Sequence, residues 1–175
     1  MNAANAVYIA GTDTDAGKTV VTAALLRALS ARPLKVQGLK AVQTGCSCDS
    51  IGVMRAPDIA VYREGAPGIT CEALQMFEPP CSPHLAAAQT GRQLSVDMLA
   101  KQLHEHISKA DLTLVEGAGG IFVPLNQEET LLDLLDNMRA RVVLVIANRL
   151  GAINHALLSV EALRSRGITI LGVMF

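Results

Sequence analysis

Aromatic side chains are scarce in this sequence: they make up 3% of its 175 residues, and tryptophan is absent. A core must therefore be built from aliphatic residues, and few rings are available to stack on nucleic-acid bases. Neither sign of charge is in clear excess, since the formal net charge is −1. The sequence consequently gives no reason to expect a nucleic-acid partner.

Long hydrophobic runs are also missing. The apolar stretch 142–147 lies between Arg141 and Arg149, and it is far shorter than the roughly 20 residues that cross a bilayer as a helix. The first apolar run, residues 6–10, has no basic region before it, so the sequence predicts no secretory signal. We expect a cytoplasmic protein with no membrane partner.

The four cysteines lack the spacing of a metal site. Cys46 and Cys48 form a C-x-C pair, whereas Cys71 and Cys81 stand alone. Zinc and cluster sites normally show two close pairs, or one pair with spaced histidines. We therefore expect reduced thiols, with a metal site as the less favoured alternative, and the sequence assigns Cys46 and Cys48 no role.

The alternation of apolar runs with helical segments defines the fold class. Half of the residues are hydrophobic, which at this length suits a single domain over residues 1–175. The order predicts an α/β fold with an open, mostly parallel sheet and helices on both faces. Strands are predicted at 6–10, 35–41, 112–115, 142–147 and 168–175. Helices are predicted at 18–30, 83–89, 95–107, 130–138 and 154–165, and a further short helix is predicted to start at residue 57. The segments 43–56 and 65–83 are predicted to be irregular.

The strongest motif runs from Gly11 to Thr19, after a predicted strand and at the start of a predicted helix. Backbone N–H groups of such a loop, at the positive end of a helix, bind phosphate. Lys18 adds a mobile charge for the β- and γ-phosphates, and the Thr19 hydroxyl can ligate Mg²⁺. Five residues separate Gly11 from Gly17, where the standard loop has four. The sequence predicts a P-loop nucleotide site of deviant spacing.

Polar residues follow four of the predicted strands, and the carboxyl ends of parallel strands meet at one edge of a sheet. Glu116 either holds Mg²⁺ or lies in an exposed loop, because a buried carboxylate needs a cation or hydrogen bonds. Lys40 either reaches solvent at the edge of the sheet or stabilises charge during phosphoryl transfer. Asp58 either caps its own helix or adds a second carboxylate for the metal. Asp15 would repel a triphosphate unless it meets an amine or a metal, which makes an amine-bearing substrate worth considering.

Together these motifs resemble the dethiobiotin synthetase family in order and spacing. The matching segments cover nearly the whole chain and are 11–19, 40–45, 78–84, 115–120 and 150–156. The five-residue gap in the phosphate loop is also the spacing of this family. The resemblance implies a P-loop NTPase-like fold with a deviant phosphate loop.

The family resemblance implies an ATP-dependent ligase of biotin biosynthesis. One amine of 7,8-diaminononanoate (7,8-diaminopelargonate) takes up CO₂ as a carbamate. ATP phosphorylates the carbamate to a carbamic-phosphoric anhydride, and the second amine then closes the ureido ring. The products are dethiobiotin, ADP and phosphate, Mg²⁺ is the cofactor, and the assembly is a homodimer.

The resemblance also implies a role for each matching residue. Lys18 and Lys40 would be catalytic. Nucleotide contacts would come from Asp13, Thr14, Asp15, Ala16, Gly17, Lys18, Thr19 and Glu116. Substrate contacts would come from Thr14, Lys40, Thr44, Gly151, Ala152 and Asn154, the last three reaching the site from the partner subunit. The metal ligands would be Thr19, Asp58 and Glu116.

The sequence departs from the family pattern at a few positions. Ala41 stands where proline is usual, Thr44 where serine is common, and Arg149 where lysine is frequent. The family also has a further segment after the position of Phe175, beginning with an asparagine that recognises the base. We therefore expect a C-terminal part of the family's domain to be missing and ATP, GTP and CTP to be poorly discriminated.

Two other classes share parts of this pattern. A cobyrinic acid synthase-type amidoligase has the same deviant loop, but it normally carries a glutamine-hydrolysing domain. A regulatory ATPase of the partitioning or division-site type is a nucleotide switch, and it has an additional lysine early in the loop. This chain has Thr12 to Asp15 there, which favours the synthetase.

Overall fold

The computed structural model describes residues 5–175. The strands in this range are β1 (Ala6–Gly11), β2 (Val36–Gln43), β3 (Ser47–Cys48), β4 (Met54–Arg55), β5 (Thr70–Met76), β6 (Leu112–Gly120), β7 (Arg141–Val145) and β8 (Thr169–Met174). The helices are α1 (Lys18–Ser30), α2 (Pro57–Gly65), α3 (Pro83–Gln89), α4 (Val96–Ile107), α5 (Leu131–Asn137) and α6 (Ala152–Ser165). The predicted helices are all present, and Ser95 caps α4 by accepting a hydrogen bond from the backbone N–H of Met98 at 3.2 Å.

Six of the described strands form one parallel sheet in the order β5-β2-β6-β1-β7-β8. The predicted fold class is therefore confirmed. β6 lies between β1 and β2, and their register makes Ile9 and Lys40 the two neighbours of Glu116. This pairing places a lysine and a glutamate side by side near the carboxyl edge of the sheet.

Helices cover both faces of the sheet. Leu26 of α1 and Tyr62 of α2 belong to one buried cluster, and Leu99 of α4 belongs to another that also includes α5 and α6. In β1, Tyr8 joins the second cluster whereas Ile9 lies in the layer under α1. Consecutive residues of a strand point to opposite faces, so the two helical layers enclose the sheet from both sides.

Two segments that the sequence predicts as irregular contain strands. Residues 65–83 include β5, which pairs with β2 at the edge of the sheet. Residues 43–56 include the short antiparallel pair β3–β4. The prediction was wrong because β5, with the sequence TCEALQM, has weak strand character of its own. Its conformation comes from the hydrogen bonds that β2 supplies.

The predicted last strand is present, but despite its apolar sequence it is not buried on both faces. Leu171 is 49% exposed and Val173 is 39% exposed. The reason is its position, since β8 ends the sheet and pairs only with β7 within the described residues. An apolar sequence alone does not distinguish an edge strand from a central strand.

The helices are short relative to a bilayer. The longest of those described, α6, has 14 residues, which corresponds to roughly 21 Å. Among residues 5–175, no helix has both the length and the apolar character needed to cross a membrane.

Candidate active site

The segment from Gly11 to Thr19 forms a loop that connects β1 to the first turn of α1. Gly17 adopts a φ of 96° immediately before the helix, and Asp15 also has a positive φ, at 55°. Thr12 attaches the loop to the end of β7, because its N–H donates to the Val145 carbonyl at 2.9 Å. The loop is therefore held in place at the carboxyl edge of the sheet, as a phosphate site requires.

The early glycine of the loop makes room for the catalytic candidate Lys18. The ammonium of Lys18 donates to the backbone carbonyl of Asp13 at 2.7 Å. A Cβ atom on Gly11 would lie 2.8 Å from the Cδ and 2.9 Å from the Nζ of Lys18, so any side chain at position 11 would displace the end of Lys18. Glycine at this position therefore leaves Lys18 the place that it occupies.

Glu116 is the centre of a buried polar cluster and is fully shielded from solvent. Its Oε1 accepts hydrogen bonds from Lys40 at 2.6 Å and from the Thr19 hydroxyl at 3.1 Å. Its Oε2 accepts from the hydroxyls of Thr22 and Tyr62. Lys40, Thr19 and Tyr62 donate to this carboxylate, and Thr22 shares its one hydroxyl hydrogen between it and the Lys18 carbonyl, which lies 2.8 Å from the Thr22 hydroxyl oxygen. These donors explain how a buried acid is tolerated at this position.

Lys40 links Glu116 to a second acid. Its ammonium lies 2.6 Å from Oδ2 of Asp58 as well as 2.6 Å from Oε1 of Glu116. Asp58 lies in the first turn of α2, but no side chain caps the N-terminus of that helix. The carboxylate of Asp58 thus pairs with Lys40 and forms no capping hydrogen bond, although its charge still lies at the positive end of α2.

Burial shapes the protonation of two groups in this cluster. Burial is the main cause that lowers the pKa of Lys18 from its usual value, and the positive charge of Lys40 is the second. The negative charges of Glu116, Asp58 and Asp13 oppose this shift. Burial, and next the charge of Glu116, raise the pKa of Tyr62 well above its usual value. Tyr62 therefore remains protonated and donates its hydrogen bond throughout the working pH range.

The side-chain oxygen atoms around Lys40 are suitable ligands for a magnesium ion. The Thr19 hydroxyl lies 3.1 Å from Oε1 of Glu116, and Lys40 contacts both Glu116 and Asp58. The two carboxylates and the hydroxyl are the hard oxygen ligands that Mg²⁺ prefers. The Lys40 ammonium lies between the two acids, and two neighbouring carboxylates require such a positive charge between them. The residues present fit the ion, although no cluster of three His, Cys, Asp or Glu side chains occurs among residues 5–175.

A cleft of about 710 Å³ opens above the cluster, within the size range of small-ligand sites. Most of the predicted site residues line it, namely Thr14, Asp15, Gly17, Lys18, Thr19, Lys40, Thr44, Asp58 and Glu116. Asp13 and Ala16 belong to the same loop without lining the cleft. The ends of β1, β2 and β6 thus meet at one site, whereas the end of β7 lies outside it.

The segment Gly151, Ala152 and Asn154 does not line this cleft. Gly151 precedes α6 with a φ of 92°, and Asn154 is exposed. Arg149, just before this segment, forms an ion pair with Asp13 of the phosphate loop. A contribution of these residues to the substrate site would therefore have to come from another copy of the chain.

Sequence reasoning missed several residues of the site. Tyr62 and Thr22 contact Glu116, and Gln43, Cys81 and Ser82 line the cleft. Helical spacing was a usable signal for the first two, because Tyr62 follows Asp58 by one turn and Thr22 follows Thr19 by three residues. The other three lie at strand and loop ends whose position depends on the tertiary fold.

A phosphate loop between β1 and α1, with hard oxygen ligands and two lysines at the carboxyl edge of a parallel sheet, defines a P-loop nucleotide-binding protein. A family model described as "AAA domain" matches residues 5–175. The chain is 45% identical to "ATP-dependent dethiobiotin synthetase BioD" of Cellvibrio japonicus, over 95% of this chain and 74% of that protein. It is 40% identical to "ATP-dependent dethiobiotin synthetase BioD 2" of Haemophilus influenzae, over 97% of this chain and 89% of that protein. The chain belongs to the ATP-dependent dethiobiotin synthetase family.

Solved structures agree on the fold. The kinase domain of the Escherichia coli tyrosine kinase ETK superposes with a TM-score of 0.61 at 16% identity, covering 98% of this chain and 67% of that chain. A ParA family ATPase from Chlorobium tepidum superposes with a TM-score of 0.56 at 12% identity, covering 97% of this chain and 71% of that chain. At such low identity the likeness extends to the P-loop fold alone. The regulatory ATPase and amidoligase alternatives are not favoured.

Proposed function

We propose that this chain catalyses the ATP-dependent conversion of 7,8-diaminononanoate and CO₂ to dethiobiotin, ADP and phosphate. The chain is a member of this family, and the observation that carries the proposal is that the phosphate loop, Lys40 and Thr44 line one and the same cleft. A switch ATPase needs only the phosphate loop, whereas a synthetase needs additional groups for an amine substrate and its carbamate.

The reaction has three bond-forming steps. The lone pair of one amine attacks CO₂ and forms a carbamate, with loss of the amine proton. A carbamate oxygen then attacks the γ-phosphorus of ATP, so that ADP leaves and a carbamic-phosphoric anhydride remains. The second amine attacks the carbonyl carbon, loses its proton and expels phosphate, which closes the ureido ring.

Two lysines stabilise negative charge in the second step. We assign Lys18 to the β- and γ-phosphates, because it lies in the phosphate loop at the N-terminus of α1. We assign Lys40 to the carbamate and the transferring phosphoryl group, where a preorganised cation lowers the barrier. Because Lys40 is paired with Asp58 and Glu116 in this structure, it must leave one of them to reach the substrate.

We assign the remaining loop residues to nucleotide and substrate binding. Asp13, Asp15, Ala16 and Gly17 would hold the nucleotide together with Lys18, Thr19 and Glu116. Thr14 and Thr44 would orient the diamine, and both line the cleft. Asp15 is exposed within the loop, so it is available to neutralise an amine of the substrate.

We propose Thr19, Asp58 and Glu116 as the ligands of Mg²⁺. The ion would neutralise charge on the β- and γ-phosphate oxygens during transfer. All three residues line the cleft beside the phosphate loop. Their own role is to fix where the triphosphate lies relative to Lys40.

We further propose a cytoplasmic homodimer. Gly151, Ala152 and Asn154 of one subunit would bind the substrate carboxylate at the cleft of the other, which is consistent with their position outside the cleft of their own chain. The four cysteines are free, in keeping with a reducing compartment.

The decisive experiment measures ADP release with each substrate omitted in turn. We expect release only when both 7,8-diaminononanoate and bicarbonate are present, because phosphoryl transfer has no acceptor until a carbamate forms. ADP release at the same rate without the diamine, or without bicarbonate, would contradict the proposed reaction. Mass spectrometry of the product identifies dethiobiotin directly.

A further inference from the structure

The hydrogen bonds of Glu116 are divided between its two oxygens. Oε1 accepts from Lys40 and Thr19, both of which line the cleft. Oε2 accepts from the Thr22 hydroxyl at 2.8 Å and from the Tyr62 hydroxyl, and neither of these residues lines the cleft. The proposed reaction uses only the Oε1 side and leaves the other side without a function.

Each of the two helices beside Glu116 supplies one residue on the cleft side and one residue on the buried side. Thr19 and Thr22 are three residues apart in α1, and Asp58 and Tyr62 are four residues apart in α2. Each pair therefore lies on one face of its helix. In both pairs the first residue faces the cleft and the second contacts the buried oxygen of Glu116.

We propose that Tyr62 and Thr22 are positioning residues that direct Oε1 of Glu116 toward a divalent cation in the cleft. The proposal rests on the magnesium site of the proposed function and adds to it the groups that orient its central ligand. Both residues are fully buried, so water cannot replace a lost hydroxyl without rearrangement.

Orientation matters because Mg²⁺ demands near-ideal octahedral geometry. With Oε2 held by Tyr62, and by the Thr22 hydroxyl that it shares with the Lys18 carbonyl, Glu116 offers the cleft a single oxygen at a fixed angle. Loss of a hydrogen bond that orients a ligating carboxylate typically lowers metal affinity or activity about 10–100-fold. A purely structural tyrosine would affect stability without changing the affinity of the folded protein for the metal.

The chain has two tyrosines, and this gives a matched control. The hydroxyl of Tyr8 is also buried but has no hydrogen-bond partner among residues 5–175. Tyr62→Phe and Tyr8→Phe therefore remove the same atom from two buried rings. The probe is Mn²⁺ in the presence of ADP, with free Mn²⁺ followed by electron paramagnetic resonance on the folded full chain.

We expect Tyr62→Phe to weaken Mn²⁺ binding about tenfold and Tyr8→Phe to leave it unchanged. The affinity for ADP in EDTA should be the same in all three proteins, because the phosphate loop is intact. Unchanged Mn²⁺ affinity in Tyr62→Phe overturns the proposal, as does an equal loss in Tyr8→Phe.

Thr22 provides the second test if Tyr62→Phe does not fold. Thr22→Ser retains the hydroxyl and should bind Mn²⁺ nearly as tightly as the wild type, whereas Thr22→Val should bind it several-fold more weakly. Equal affinities in the two variants overturn the role of Thr22. These readouts require no turnover, so a wild type that binds Mn²⁺ but makes no dethiobiotin would refute the proposed function and leave this inference standing.

Discussion

At the scale of single residues, Lys40 carries two demands that conflict. In this structure its ammonium joins Asp58 and Glu116, each at 2.6 Å, and so neutralises one fully buried acid and one partly buried acid. In the proposed reaction it must instead face the carbamate. The divalent cation of the proposed function would resolve the conflict by replacing the ammonium between the carboxylates.

Lys40→Met tests this exchange. We expect the free energy of unfolding in EDTA to fall by about 3–5 kcal/mol, because removing one partner of a buried ion pair leaves charge uncompensated. Added Mg²⁺ should raise the Tm of Lys40→Met more than that of the wild type, since binding no longer has to displace an ammonium and stabilises the native state alone.

Lys35→Met is the matched control for Lys40→Met. Lys35 is exposed just before β2, so its loss should change stability by less than about 0.5 kcal/mol. Thermal unfolding with EDTA and with a series of Mg²⁺ concentrations measures both variants. An equal rise in Tm for wild type and Lys40→Met would show that the lysine and the metal do not compete.

At the scale of elements, the contact between α1 and α2 determines whether Tyr62 reaches Glu116. The two helices approach closely at Gly65, where an added Cβ would lie 2.9 Å from the Cβ of Ala23. Neither helix can retreat far, because Leu26 and Tyr62 pack in the same cluster. A small residue at position 65 is therefore a condition of the polar cluster.

Gly65→Ala should destabilise the protein by about 1–3 kcal/mol, the usual cost of overpacking. It should also weaken Mn²⁺ binding, because α2 carries both Asp58 and Tyr62. Gly172→Ala is the control, since a Cβ there meets no atom within 4 Å. Urea unfolding measures the two variants, and a Gly65→Ala protein as stable as Gly172→Ala would contradict close helix packing.

The start of α5 gives a prediction about pH. Asp133 accepts hydrogen bonds from the Thr130 N–H at 2.8 Å and the Thr130 hydroxyl at 2.7 Å. These bonds, and next an ion pair with Arg166, lower the pKa of Asp133 in the folded protein. A lowered folded pKa contributes stability above the unfolded pKa, and this contribution is lost as pH falls through the folded pKa.

Asp133→Ala should therefore cost about 1 kcal/mol near neutral pH, and the difference from the wild type should shrink below about pH 4. Urea unfolding from pH 3 to pH 7 measures it. Asp97→Ala, in the first turn of α4, is a suitable comparison because its side chain is exposed. A cost for Asp133→Ala that is independent of pH would mean that the carboxylate does not act as a charged cap.

At the scale of the whole molecule, the proposed site needs two copies of the chain. Lys18 and Asn154 would then contribute to the same site from different subunits. In a mixed dimer of Lys18→Ala and Asn154→Ala, one site loses both residues and the other retains both. Activity should thus reappear when two inactive proteins are combined.

Co-expression of the two variants measures this complementation. Random pairing makes about half of the dimers mixed, and each mixed dimer has one intact site, so about a quarter of the wild-type turnover is expected. Each variant alone should have almost none. Activity no greater than the sum of the separate variants would exclude a shared site.

The sequence predicted most of the site because its residues lie at positions with local rules. Lys18 and Thr19 follow a glycine loop, and Glu116 ends a buried apolar run. The sequence did not predict β5, whose residues have weak strand character, or the exposure of β8. Those features depend on which strand is the neighbour and which is the edge, and neither is encoded in a local window.

The sequence by itself determined the α/β class, the deviant phosphate loop and the family resemblance, because periodicity and short motifs are local properties of a chain. Only the tertiary structure decided that Lys40 joins Asp58 to Glu116 and that Tyr62 and Thr22 hold the other oxygen of that acid. These contacts join residues between 18 and 97 positions apart. They exist because the register of β2 with β6 and the packing of α1 on α2 bring distant segments together.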